Sequence, residues 1–164
     1  MRIAGHPVHP AMVHFPIAFW SLATLLDGLT LIDAIHASTP AWYCLILGSV
    51  SAVPAMATGW LEYTTLDAAL VKLSSRHMIL MCVVWTLYLA ALFSRTHHRV
   101  LIEAPGLISY GFSAFGFFIM LLGGWHGGQL VYKYGAGSFT KLSGLDLPSD
   151  QLGTPRSVRQ SKQP

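Results

Sequence analysis

Four stretches of mostly apolar residues alternate along the chain with short polar punctuation, over roughly residues 12–35, 41–61, 77–93 and 107–126. A helix rising about 1.5 Å per residue needs about 20 apolar residues to cross a hydrocarbon core of ~30 Å, and each stretch is long enough. The third is the shortest, and its polar ends can snorkel to the interface. With short connections between successive spans, the pattern predicts an all-α, integral-membrane, up-and-down four-helix bundle over residues 12–134. Residues 64–75, TTLDAALVKLSS, separate the second span from the third. They have room for one short interfacial helix, with Thr64 and Asp67 at capping-box spacing and Leu66, Leu70 and Leu73 on one face, or for a plain polar loop.

Composition agrees. The 164 residues are 53% hydrophobic and only 10% charged. Mean hydropathy is +0.52. A soluble domain is about a quarter charged, so there is too little polar surface here to cover a water-exposed fold. Net charge is +3, but the basic residues are scattered around the apolar spans, a pattern that sets topology and does not bind nucleic acid. An N-terminal signal peptide is not expected, because the first ten residues lack a basic cluster and the following run is too long. Residues 1–11 read as a short segment carrying GHPVHP. Residues 135–164 read as a polar tail, rich in Ser, Gly, Gln and Pro towards its end and expected to be disordered.

An even number of spans puts both termini on one side, together with the loop that follows Glu62. Arg2, Lys72, Arg76, Lys133, Lys141, Arg156, Arg159 and Lys162 fall on that side, and only Arg95 and Arg99 on the other. The positive-inside rule then places both termini in the cytoplasm. Cys44 and Cys82 start spans of opposite direction, too far apart in depth for a disulfide. Gly48, Ser51, Ala52, Ala55, Thr58 and Gly59 form a stripe of small residues on the second span, suited to close helix packing. Glu62 continues that stripe and is expected to point inward. Trp20, Trp42, Trp60, Trp85 and Trp125 are expected mostly near span ends, at the interface.

Ionisable residues in apolar spans are expensive and mark candidate sites. His14, Glu62, His77 and His126 each lie near the end of their span on the side of the termini. His6 and His9 can fold over the same end. Two histidines on facing helices can ligate haem b, and since first and third helices of a sequential bundle lie diagonally, His14 with His77 is the favoured pair, His126 the rival. Glu62, Arg76 and His126 would surround these ligands or supply a contact for haem propionates or protons. The four residues His14, Glu62, His77 and His126 suit instead a bare Fe, Cu, Zn or Mn ion. They also suit a proton-carrying cluster. A structural hydrogen-bond network with no cofactor is the remaining alternative. Asp27, deep in the first span, is a further candidate and is expected to bond a Ser or Thr of a neighbouring helix. His36, His97 and His98 read as solvated. GxSxG, Walker, HExxH, CxxC and Rossmann patterns are absent, which gives hydrolase or nucleotide chemistry no support.

GHPVHPAMVHFPIAFW at positions 5–20, Gly59–Trp60, Arg76–His77 and GGWHGGQLVYKYGAG at positions 123–137 resemble a bacterial family of uncharacterised membrane proteins, domain-of-unknown-function family 2231. The resemblance spans roughly residues 5–137 and rests mainly on the opening GHPxHPxxxHFP pattern. It implies a multi-pass protein of the bacterial inner membrane. Members fused to Rieske-type iron–sulfur domains imply redox work, although no such domain is read in this chain. His6, His9, His14, Arg76, His77 and His126 lie in the matching motifs. The expectation is thus a small haem- or metal-binding electron-transfer protein, or a non-catalytic membrane scaffold. Its partners would be the lipid bilayer, a redox protein or quinone, and a further copy of the chain.

Overall fold

The computed structural model of the chain describes residues 2–3, 6–66, 68–97, 101–102 and 105–134. The tail expected at 135–164 lies outside the described residues, as do Asp67, His98 and Arg99. The helices are α1 (Val8–Met12), α2 (His14–Leu31), α3 (Ser38–Tyr63), α4 (Ala68–Phe93) and α5 (Leu107–Gly128). A π-helical turn over Gln129–Lys133 prolongs α5. Two minimal antiparallel ladders complete the described chain, pairing Arg2–Ile3 with His6–Pro7 and Thr96–His97 with Leu101–Ile102.

Four segments are long and apolar enough to cross a membrane: Val8–Leu31, Ser38–Tyr63, Ala68–Phe93 and Leu107–Lys133. The first is α1 and α2 joined at Val13, where Pro16 cannot donate to the carbonyl of Met12. The bonds Val13 N–H to His9 O and Ile17 N–H to Val13 O carry the helix across that step. The segment before His77 is neither a loop nor a separate interfacial helix. Residues 68–76 contain no Gly or Pro, so they extend α4 without a break. Ser75 bonds back to Val71 O and also meets the Tyr63 hydroxyl at 3.0 Å, which ties the extension to α3. Thr64 donates backward to Leu61 O and so does not cap α4.

Large apolar side chains face outward, among them Phe15, Leu25, Val50, Ile79, Phe118 and Leu121. The interior is built largely of Ala, Gly and Ser with a few aromatics. This inside-out distribution suits a lipid surround, where close backbone approach holds helices together. Trp60 and Trp125 are exposed near helix ends, but Trp20 is not interfacial. It is buried at mid-bundle, stacked on Tyr88 with centroids 4.9 Å apart and planes 4° apart. Neither cysteine is bridged.

α2 packs on α3 and α5, and α4 packs on α5 and α3, so α2 and α4 are diagonal. The two hairpins, α1–α2–α3 and α4–α5, repeat one plan at an offset of 68 residues, the separation of Asp27 from Arg95. Pro16, Trp20, Ala23 and Asp27 are the buried positions of α2; Val84, Tyr88, Ala91 and Arg95 are their counterparts. On α3, Ala41, Leu45, Gly48, Ala52 and Ala55 are buried. Their counterparts Ser109, Ser113, Gly116, Met120 and Gly123 are the buried positions of α5.

A residue that touches its own counterpart sits at the axis relating the two halves. Trp20 meets Tyr88, and Asp27 meets Arg95. Tyr88 and Arg95 are seven residues apart, about 10 Å along the helix direction. Two such contacts at different depths make the pseudo-two-fold axis run along the bundle, as in parallel membrane repeats.

Candidate functional site

The repeat produces one matched pair of polar positions towards each end of the bundle. Towards the end that holds the termini, His9 on α1 donates from Nδ1 to the carbonyl of Ala55 on α3 at 2.8 Å. Its counterpart His77 on α4 donates from Nδ1 to the carbonyl of Gly123 on α5, also at 2.8 Å. Each bond joins the two helices of one hairpin. Each ring also lies on a glycine: a Cβ at Gly59 would come within 2.8 Å of His9 Cε1, and one at Gly127 within 2.9 Å of His77 Cε1. His9 and His126 are the electrostatic neighbours of His77, so the three imidazoles share this end.

A carbonyl oxygen only accepts, so Nδ1 carries a proton in both rings, and Nε2 has a lone pair when the ring is neutral. An imidazole held this way has its tautomer and orientation fixed for metal ligation through Nε2. The flanking groups differ between halves. Thr58 stands 3.4 Å from His9 Nδ1, while its counterpart His126 bonds Leu122 O of its own helix at 2.8 Å.

Towards the other end lies an ion pair. Arg95 donates from two nitrogens to the two carboxylate oxygens of Asp27, at 2.8 and 2.9 Å, with both residues buried. Ser113 donates to the same carboxylate at 2.8 Å, as expected of a hydroxyl on a neighbouring helix. Arg95 Nε donates to Ser109 Oγ and to Ala91 O. Between the two ends stand the stacked Trp20 and Tyr88, with the Tyr88 hydroxyl 2.8 Å from Thr24 Oγ1.

The structure places His14 on the outside of its helix. The diagonal argument holds for the helices, but His14 is exposed, two residues before the buried Pro16 and so about 200° away around α2. It makes a long bond to Ala11 O at 3.4 Å. The first-span imidazole that packs against α3 is His9, five residues earlier. His14, Glu62, His77 and His126 do not form a four-ligand ion site: among the described residues no three His, Cys, Asp or Glu side chains gather as metal ligands. Glu62 is half-buried near the end of α3, and Arg76 is exposed on α4. His6 lies in the ladder with Ile3. His36 is solvated as expected, 4.0 Å from Asp33.

Arg95 is the residue that reading the sequence missed. It follows a span end and looks like a loop cation, yet it is 1% exposed. The available signal was its placement 68 residues after Asp27, in a repeat that also aligns His9 with His77, Gly48 with Gly116 and Gly59 with Gly127.

Compared with known proteins, the chain matches a family model described as "Predicted membrane protein (DUF2231)" over residues 5–140. No curated protein and no solved structure matches.

Proposed function

Because the chain belongs to the DUF2231 family of predicted membrane proteins, we propose a function that requires a bilayer: His9 and His77 would hold a haem b near one membrane face, and the haem would supply one-electron transfer. The observation that carries this reading is the repeated imidazole–carbonyl bond. Two histidines at equivalent positions on diagonal helices have Nδ1 engaged and Nε2 left for a metal. A porphyrin already supplies four ligands to its iron, so two imidazoles would be enough to hold it. A bare Zn ion takes three or four protein ligands, and no such group gathers among the described residues. The donor set therefore favours haem over a naked ion.

The chain's own residues would each have a part. Ala55 and Gly123 carbonyls orient the rings, Gly59 and Gly127 give them room, and exposed Arg76 is the nearest cation in sequence for a propionate. A haem at this depth would exchange electrons with a redox protein or quinone at that face. The excess of Lys and Arg on the side of the termini favours the cytoplasmic face of a bacterial inner membrane.

One observation favours a second reading. Both histidine bonds tie a hairpin together, which is what a structural hydrogen-bond network without a cofactor would do. The two readings separate in a dithionite-reduced-minus-oxidised spectrum of detergent-purified protein expressed with haem supply. The haem reading expects sharp reduced bands in the wild type, lost in His9→Ala and His77→Ala and kept in His14→Ala. A flat wild-type spectrum, with lower folding yield in the first two variants, establishes the structural network instead.

A further inference from the structure

The Asp27–Arg95 pair has no part in the histidine site, yet it is the most heavily bonded polar group in the interior. Its position is unusual for another reason. Where two identical units pair about a two-fold axis, any residue on the axis meets itself. Two Asp27 residues facing each other in an apolar interior would repel, and so would two Arg95 residues. The two halves of this chain share a plan but carry opposite charges at this one axial position.

We propose that Asp27 and Arg95 form a pairing lock, which makes the first hairpin accept only the second and excludes pairing between like hairpins of separate chains. Three features support it. The bidentate geometry satisfies both carboxylate oxygens and fixes one register between α2 and the end of α4. The other contacts that join the halves here, Trp20 on Tyr88, the Tyr88 hydroxyl at Thr24 and Trp85 Nε1 at Ser49 O, are between uncharged groups, so they set no charge repulsion against a like hairpin. Ser109 and Ser113 surround the pair with hydroxyls, which rotate to donate or to accept. The surroundings thus tolerate either polarity of the pair but not two like charges. A repulsive element against the wrong partner is how paired helices commonly gain specificity.

The lock makes separate predictions for polarity and for exclusion, both testable in the full-length chain in detergent by size exclusion and thermal unfolding. Asp27→Arg and Arg95→Asp alone should each reduce the recovered folded protein by about tenfold or more, because each buries two like charges. The double reversal, D27R with R95D, should return recovery to within about twofold of wild type, since the attraction is the same in mirror image. If the double reversal is no better than either single, complementarity across the axis is overturned. The neutral pair Asp27→Leu with Arg95→Leu tests exclusion, because it removes the repulsion without burying a lone charge. It should fold and add larger, domain-swapped species that wild type lacks. If the neutral pair keeps the wild-type size distribution, the pair holds the bundle but excludes nothing, and the lock is overturned.

Discussion

At Gly48 a single hydrogen is all that the packing admits. A Cβ there would come within 2.5 Å of the Trp20 ring, and the ring cannot retreat because Tyr88 is stacked on its other side. Gly28 and Gly111 have open space where a Cβ would go. Gly48→Ala should therefore destabilise the bundle by ~1–3 kcal/mol, the usual range for overpacking a dense core. Gly111→Ala, in a helix interior, should be neutral or slightly stabilising. Thermal unfolding of both variants beside the wild type checks the contrast; equal midpoints would mean that Trp20 is not wedged. The same logic explains why His9 and His77 each face a glycine, where a methyl group would displace the imidazole. None of these pairings shows in the sequence, because a glycine's neighbour on another helix depends on register, which residue identities alone do not give.

The spans themselves were legible at the scale of elements, because length and apolarity decide them and both are local properties. What failed was local punctuation near a boundary. Thr64 and Asp67 looked like a capping box for a short helix, but the described chain runs unbroken from Ala68 into α4. A proline at the exposed Arg76 separates the two pictures: a residue just ahead of a helix tolerates it, whereas the interior of a continuous helix loses about 3 kcal/mol. Arg76→Pro should lower the unfolding midpoint clearly, and an unchanged midpoint would show that residues 68–76 do not act as helix. His14 illustrates the other failure. Depth along a span could be read, but the face could not, and a two-residue offset from Pro16 turns a candidate ligand outward. The repeat was hidden for a related reason. Counterparts such as Asp27 and Arg95, or Trp20 and Tyr88, keep burial and position while changing chemistry. The Gly–Trp pairs at 59–60 and 124–125 even suggest a false spacing, since Gly59 aligns with Gly127.

For the whole molecule, the repeat gives each end of the axis a different chemistry: two carbonyl-bonded imidazoles towards the termini, one ion pair towards the connecting loops. It also sharpens the charge asymmetry behind the orientation. Arg95 is neutralised by Asp27 inside the bundle, which leaves Arg99 as the remaining Lys or Arg of the loop side. Reporter fusions after residue 134 and ahead of residue 2 should give the same cytoplasmic signal, and one inserted at residues 33–36 the opposite. A periplasmic signal at both ends would reverse the assigned orientation while leaving the four spans intact. The histidine pair is the most consequential feature at this scale, since it alone offers chemistry that a scaffold does not need. The deciding measurement is the reduced-minus-oxidised visible spectrum of the purified wild type beside His9→Ala, His77→Ala and His14→Ala. Haem bands present in wild type and His14→Ala and absent from the other two are the predicted result. A flat wild-type spectrum after expression with haem supply, or bands that survive loss of His9 and His77, would contradict it.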